Sequence, residues 1–320
     1  MELEAILGIR VPIIQGGMGN ISSAQLTAAV SEAGGLGTIG TGTMNPEQVE
    51  RLIKETKQRT DQPFALNIPI SVNRWSEEML RIAVQYKLKA VSLSAGNPAP
   101  YISYLRDNGV VAMCVVSTVK HALKAAAAGA QIVIAEGVEA AGIHSSFETT
   151  TLALIPQVVD AIKLPVVAAG GIADGRGMLA MFALGAKGIQ MGTRFVATTD
   201  APFSPLYKKR LLEADDTSTI VIGRSLQKGR RVLAGPYTKS IKAQEERSIT
   251  PVEFQQATNE DRHLLGALEG NEEEGYMNCG QIAGLINRVL TVRELIDSMM
   301  EECDIRLKEI TAIRKSKEQG

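Results

Sequence analysis

Short apolar runs recur along the first two thirds of the chain, and most end on glycine, asparagine or serine. Eight such runs start 20 to 34 residues apart. Their lack of polar alternation is typical of strands that are buried on both faces of a parallel sheet. The runs are VPIIQGG from 11, LGTIG from 36, FALNIPI from 64, AVSLSAG from 90, VVAMCVV from 110, QIVIAEG from 131, PVVAAGG from 165 and GIQMGTRF from 188.

The segments between these runs have the pattern of helices, and several begin at Ser, Thr or Asn and end near Gly. Examples are SSAQLTAAVSEAG, NPEQVERLIKETK, SEEMLRIAVQY and TVKHALKAAAAGA. Eight strand–helix units predict an α/β fold of the TIM (β/α)8 barrel type. A doubly wound open sheet is the alternative, but GGMGNI after the first strand is not G-x-G-x-x-G, and no acidic residue closes the second strand.

The strand period ends after residue 196, which divides the chain into three predicted parts. Residues 1–196 form the barrel strands, 197–275 a small helical insertion at the catalytic mouth, and 276–320 C-terminal helices that complete the barrel. Residues 207–247 carry ten Lys or Arg against five acids, and residues 253–274 carry seven acids and one Arg. The basic stretch could attract an acyl carrier protein, CoA or a pyridine nucleotide, or it could be a solvated face that the following acids balance.

Composition excludes several classes of protein. A net charge of -1 over 320 residues gives no electrostatic case for a nucleic-acid or membrane partner and favours a small-molecule substrate. Three widely spaced cysteines predict neither zinc nor a redox dithiol, so no metal site is expected. The N-terminus has no signal-peptide pattern and no run of about 18 apolar residues occurs, which predicts a soluble, cytoplasmic protein. The sequence leaves a homodimer open.

The glycines after the seventh and eighth predicted strands indicate a binding site for a ligand that approaches the backbone closely. These strand ends are neighbours at the mouth of a barrel, where backbone N–H groups commonly bind phosphate. We therefore expect Gly170, Gly171, Gly192 and Thr193 to hold the phosphate of a cofactor, although glycines that only make tight turns are the alternative.

The first and third strand ends suggest which cofactor this is. Gln15, Gly16, Gly17 and Met18 bring bare backbone to the mouth, and Asn67 adds an amide. Main-chain groups and amides can pair with the edge of a flavin ring. Taken alone, Asn67 is also typical of a turn at a strand end.

Seven motifs in order resemble the nitronate monooxygenase family, which includes the 2-nitropropane dioxygenase type and the FMN-dependent enoyl-acyl-carrier-protein reductases. The resemblance covers nearly the whole barrel and the C-terminal helix, and the insertion matches less clearly. The motifs are QGGM at 15–18, AGGLGTIG at 33–40, AGNP at 95–98, IAEGVEAAG at 134–142, AAGGIADGRG at 168–177, MGTRF at 191–195 and GQIAGLI at 280–286.

The resemblance implies non-covalent FMN, with its phosphate at the four residues named above. It implies that the ring lies against Gln15 to Met18, Asn67, Glu136 and Gln281. It also implies a catalytic histidine after the sixth strand, which His144 supplies. The family usually carries Gly-Gly-His, whereas this chain reads Ala-Gly-Ile-His at 141–144, so the histidine is displaced by one position.

His144 is the one histidine of the three that follows a strand; His121 lies in the helical pattern VKHALKAAAAGA, and His263 lies in the charged stretch DRHLLGALEG. Near neutral pH it can remove a proton α to a nitro group or donate one to an enolate. A loop histidine that only bonds backbone is the alternative.

The leading hypothesis is an FMN-dependent monooxygenase that oxidises alkyl nitronates or nitroalkanes with oxygen. One alternative is an enoyl-acyl-carrier-protein reductase that uses NADH or NADPH and accepts a carrier-protein or CoA thioester. Another is a non-catalytic barrel that binds FMN or a different phosphate ligand.

Overall fold

Eight parallel strands form the centre of the molecule. The computed structural model describes residues 3–317, with side chains up to residue 313. The strands that begin at Ile13, Gly188, Val166, Ile132, Val111, Ala90, Phe64 and Gly37 pair with one another in that order, and a bridge between Ile14 and Leu36 joins the two outer strands. The predicted TIM barrel is therefore confirmed, and every predicted run contains a strand. The strands are β1 Ile13–Gln15, β2 Gly37–Gly40, β3 Phe64–Pro69, β4 Ala90–Ser94, β5 Val111–Val116, β6 Ile132–Glu136, β8 Val166–Ala169 and β9 Gly188–Met191.

Two apolar layers hold the barrel together. Side chains alternate along each strand, so that Val133 faces the outer helices while Ile134 faces the interior. At the amino end of the barrel, the short first helix Leu3–Leu7 has its two leucine ends fully buried in the interior layer and closes that end. The opposite end, where the strands finish, remains available for a site.

A ring of helices surrounds the strands. Capping side chains start several of them: Ser23 accepts from the Leu26 N–H, and Asn45 forms a capping box with Gln48. The C-terminal helix packs against the second and eighth helices and completes the ring. No helix in residues 3–317 is long and apolar enough to cross a membrane. The ring and its plug comprise α1 Leu3–Leu7, α2 Ala24–Glu32, α3 Pro46–Lys57, α4 Ser76–Gln85, α5 Ala99–Asp107, α6 Val119–Ala127, α7 Thr151–Ala161, α8 Gly175–Ala183 and α14 Val292–Lys317.

The insertion after β9 covers the mouth and contains a hairpin as well as the predicted helices. Strands β10 Thr219–Ile222 and β11 Arg230–Leu233 pair antiparallel, and β11 also pairs with β7 Gly142–Ile143, which belongs to the loop after β6. The helical description was thus incomplete, because this small sheet ties the insertion to the candidate catalytic loop. The short helix α9 Thr193–Val196 leads from β9 into the insertion, whose own helices are α10 Pro205–Leu212, α11 Pro236–Glu246, α12 Pro251–Ala257 and α13 Glu260–Leu264.

Candidate active site

A cavity of about 1200 Å³ opens at the carboxyl ends of the barrel strands. Its wall combines the loops after all eight barrel strands with residues of the insertion. A volume above several hundred Å³ is typical of a small-molecule or cofactor site. The lining residues include Gly16, Gly17, Met18, Asn67, Glu136, Gly170, Gly171, Gly192, Thr193, His144, Arg230, Glu260, His263 and Asn278.

Glycine backbone without side chains forms the cavity wall at the carboxyl ends of β8 and β9. Gly170 and Gly171 have φ of +90° and +74°, which side chains rarely adopt. A Cβ on Gly192 would meet no atom within 4 Å, so this residue faces open space. Gly192 precedes Thr193 at the start of α9, and the Thr193 hydroxyl accepts the Gly280 N–H at 2.9 Å. The four residues predicted to hold a phosphate therefore lie together on one wall.

The loop after β1 lies close to Asn67. A Cβ on Gly17 would come within 2.5 Å of the Asn67 side chain, so only glycine fits there. The Asn67 amide nitrogen donates to Ser92 and Ser94, which fixes the orientation of its amide oxygen. This close contact brings bare backbone and an oriented amide side by side at the cavity, where both can pair with the edge of a flat heterocycle.

Two predicted glutamines are not part of the cavity lining. Gln15 is fully buried, and its amide exchanges hydrogen bonds with the backbone of Thr38 at 3.2 and 3.4 Å. Gln281 is exposed, and its backbone N–H donates to the Glu139 carbonyl at 2.9 Å. The side chain of Gln15 therefore supports the first two strands, and the flavin contacts predicted for both residues stay predictions.

Glu136 ends β6 at the cavity wall. Burial raises the pKa of its carboxyl group from 4.5 to about 7. Because the residue borders an open cavity, water there would reduce the shift, and a molecule that filled the cavity would increase it. The neighbouring Glu139 differs, since its two oxygens accept the Thr151 N–H and hydroxyl at the start of α7.

The displaced histidine is more buried than the residue before it. His144 is 9% exposed and Ile143 is 54% exposed, although both line the cavity. The His144 Nδ1 lies 3.2 Å from the Ser145 carbonyl, and its Nε2 is buried without a hydrogen-bond partner among the described residues. Burial lowers the pKa of His144, and Arg231 adds to this effect. Its neutral form is therefore favoured at neutral pH.

Sequence reasoning did not place a second polar cluster at this cavity. His263 stacks on Tyr276 at 5.1 Å, its Nε2 lies 3.2 Å from the Asn278 amide, and its Nδ1 lies 3.6 Å from Glu260. Arg230 donates to the Tyr276 hydroxyl at 2.6 Å. These residues come from the insertion and the segment after it, where no strand-end pattern marks them. The sequence showed this region only as an acidic stretch, and the structure adds that Asn259 caps a helix start within it.

The whole chain up to residue 302 matches the family model of nitronate monooxygenase. The chain belongs to the nitronate monooxygenase family. It is therefore an enzyme, an FMN-dependent oxidoreductase of the nitronate monooxygenase type, and it acts on small molecules.

Proteins similar in sequence to this member of the nitronate monooxygenase family are named as different enzymes. A probable nitronate monooxygenase of Staphylococcus haemolyticus is 32% identical, covering 94% of this chain and 96% of that protein. A (3aS,4S,5R,7aS)-5-hydroxy-7a-methyl-1-oxo-octahydro-1H-indene-4-carboxyl-CoA dehydrogenase of Mycobacterium tuberculosis is 30% identical over 97% and 98%.

The solved structures that resemble this chain also belong to enzymes with different names. FabK from Thermotoga maritima superimposes with a TM-score of 0.92 at 38% identity, covering 97% of this chain and 98% of that one. Nitroalkane oxidase from Streptomyces ansochromogenes gives 0.84 at 25% identity, covering 96% and 99%. The fold and family are thus shared by enzymes that act on different substrates.

Proposed function

We propose that the protein oxidises alkyl nitronates and nitroalkanes with oxygen, using FMN held non-covalently at the barrel mouth. The observation that carries the proposal is the large cavity whose walls present glycine backbone at neighbouring strand ends. The nitronate monooxygenase family model and the similarity to a nitroalkane oxidase support the substrate class.

The residues at the cavity fit FMN in two places. Gly170, Gly171, Gly192 and Thr193 would hold its single phosphate, since the three glycines present backbone without side chains at the cavity and Gly192 borders open space. The ring would lie against the loop after β1, Asn67 and Glu136. When bound, the flavin would take up electrons from the substrate and pass them to oxygen. The direct contacts of Gln15 and Gln281 with the flavin ring stay predictions.

We assign the proton transfer to His144. If Nδ1 carries the proton and donates to the Ser145 carbonyl, Nε2 holds the free electron pair that a general base requires. The lowered pKa keeps that nitrogen unprotonated at neutral pH. The carbon next to a neutral nitro group must lose a proton before oxidation, whereas a nitronate already lacks it.

Enoyl thioester reduction with NADH or NADPH is the second candidate function. The similarity to FabK, an enoyl-acyl-carrier-protein reductase, favours it. The basic stretch at 207–247 would then meet a carrier protein, CoA or a nucleotide phosphate. One of its arginines, Arg231, is buried and donates to the Val138 carbonyl at 3.1 Å, so this residue is not available at the surface.

Anaerobic reduction of the bound flavin separates the candidates. Bleaching by a nitronate but not by NADH or NADPH supports the monooxygenase, and bleaching by a reduced nicotinamide followed by reoxidation with an enoyl thioester supports the reductase. Failure of all of these reductants would leave a binding barrel.

A substitution of His144 tests the base. We expect His144→Ala to retain FMN and to slow turnover of a neutral nitroalkane by about 10² to 10⁴, with a much smaller loss on the nitronate. Equal losses on both substrates would remove His144 from that role and direct attention to Glu139 or Ser145.

The compartment and assembly state are also proposals. All three cysteines are free and buried, which is compatible with a cytoplasmic enzyme. Light scattering of the purified protein decides between a monomer and a homodimer.

A further inference from the structure

Arg230 places a buried positive charge at the cavity. The residue is only 7% exposed and lines the cavity wall. Its Nη1 donates to the Tyr276 hydroxyl at 2.6 Å, and its guanidinium lies 5.0 Å from the centre of that ring. Among the described side chains, residues 3–313, it forms no ion pair with a carboxylate within 4.0 Å. A guanidinium has five N–H donors, so most of its hydrogen-bonding capacity is left for a ligand.

The strand register aims this arginine at the cavity. Arg230 lies opposite Ile143 in the β11–β7 pair, and directly paired residues project from the same face of a sheet. The half-exposed Ile143 also lines the cavity. The next residue, Arg231, projects from the other face, where it donates to the Val138 carbonyl and the Thr219 hydroxyl. The two adjacent arginines therefore occupy different environments.

The surrounding charges explain why Arg230 tolerates burial. Glu260 lies nearby, and although burial alone would raise its pKa, His263, Arg230 and the Asn20 N–H together lower it, so the carboxylate is ionised at neutral pH. Its Oε2 lies 3.4 Å from the Asn20 nitrogen and 3.6 Å from the His263 Nδ1. Glu260 thus offsets part of the arginine's charge without occupying its donors.

We propose that Arg230 binds the negatively charged oxygen of the substrate. The inference rests on the proposed function, because the two candidate substrate classes share this chemistry. A nitronate carries its charge on two coplanar oxygens before reaction, which matches the planar fork of a guanidinium. An enoyl thioester develops charge on its carbonyl oxygen only during reduction.

A non-reactive carboxylate tests the site without turnover. 2-Methylpropanoate has the shape and charge of propane-2-nitronate, and 2-methylpropanamide is its neutral counterpart. We would titrate both into the FMN-loaded protein under anaerobic conditions and follow heat and flavin absorbance. Arg230→Met should weaken carboxylate binding by about 10- to 100-fold, as expected for a charge-assisted hydrogen bond, and leave the amide unchanged. Arg230→Lys should lose less, because the charge remains while the fork is lost.

Two further variants give matched controls. Arg231→Met removes the neighbouring arginine and should leave carboxylate affinity unchanged, because that side chain faces away from the cavity. Glu260→Gln removes the opposing charge and should strengthen carboxylate binding several-fold. Flavin content and thermal melting monitor folding, and if Arg230→Met does not hold flavin, Arg230→Lys decides.

The outcomes separate this inference from the proposed function. Loss of carboxylate binding in the Arg230 variants supports the anion site even if the protein oxidises no nitronate. A fall in kcat on an enoyl thioester with KM unchanged also supports it, for a charge that develops during the reaction. Unchanged carboxylate affinity together with unchanged kcat on both substrate classes would overturn it.

Discussion

At the residue scale, the raised pKa of Glu136 makes stability depend on pH. The unfolded carboxyl titrates near 4.5 and the folded one near 7, so the folded state binds more protons between these values. The contribution of this carboxyl group to the free energy of unfolding therefore falls as the pH rises from about 4.5 to about 7, and it does not fall further above pH 7. We predict that Glu136→Gln raises the free energy of unfolding by ~1–2 kcal/mol above pH 7, after allowance for water in the cavity.

Thermal melting of the flavin-free variant and wild type at pH 4.5, 7 and 8.5 measures this difference. The two curves should converge at the lowest pH, where both chains are uncharged at this position. Glu213→Gln, on a side chain that is 58% exposed, is the matched control and should show no such trend. An advantage of Glu136→Gln that does not change with pH would contradict the titration and indicate a packing effect.

Single residues also show how far the sequence can be interpreted. The glycines at the strand ends were enough to predict where the backbone is bare, because a glycine has no side chain whose direction must be known. For Gln15 the same reasoning could not say that the amide turns inward to Thr38. His144 was predicted from its position after a strand, but its burial beneath Gly229 depends on a hairpin far along the chain.

At the element scale, the start of α9 after β9 should be sensitive to negative charge. Gly192 has an ordinary φ of -115° and room for a side chain, so a substitution there tests the ligand rather than the fold. We predict that Gly192→Asp lowers FMN affinity at least tenfold more than Gly192→Asn, which has similar size and no charge, because a carboxylate repels the phosphate. Flavin released on denaturation, measured by absorbance, gives the occupancy.

Equal occupancy in the two Gly192 variants would place the phosphate elsewhere. Substituting Gly171 is less informative, since its φ of +74° strains any side chain and would confuse repulsion with misfolding.

The elements themselves were predictable to different degrees. The eight barrel strands are buried on both faces, so their sequences are continuous apolar runs that stand out from the helices between them. Strand β11 reads RRVL, and its two arginines hid it within a basic stretch. Both arginines are buried for reasons that lie in other elements, Tyr276 for one and the loop after β6 for the other.

At the scale of the whole molecule, the count of strand–helix units was enough to predict the barrel, but not the composition of its mouth. Glu260 reaches the Asn20 N–H across 240 positions of sequence, and the insertion thereby contacts the loop that borders the candidate flavin site. A contact of this kind leaves no local pattern. The phosphate wall, the loop after β1 and the insertion therefore form one cavity whose parts are coupled through the fold.

That coupling predicts how the molecule responds to flavins of different length. FMN would contact the phosphate wall and, through its ring, the loop after β1 and Asn67, whereas riboflavin has the ring and no phosphate. A ligand at a hundred times its Kd stabilises the folded state by ~2.7 kcal/mol, which corresponds to a rise in Tm of about 5 °C for a chain of this size. We expect this shift with FMN, a smaller one with riboflavin at the same concentration, and no advantage of FMN over riboflavin in Gly192→Asp. Melting curves of the flavin-free protein, followed by circular dichroism, provide the measurement. If riboflavin stabilised the wild-type protein as much as FMN, the glycine wall would have no part in phosphate binding, and only the ring contacts with the loop after β1 and with Asn67 would remain.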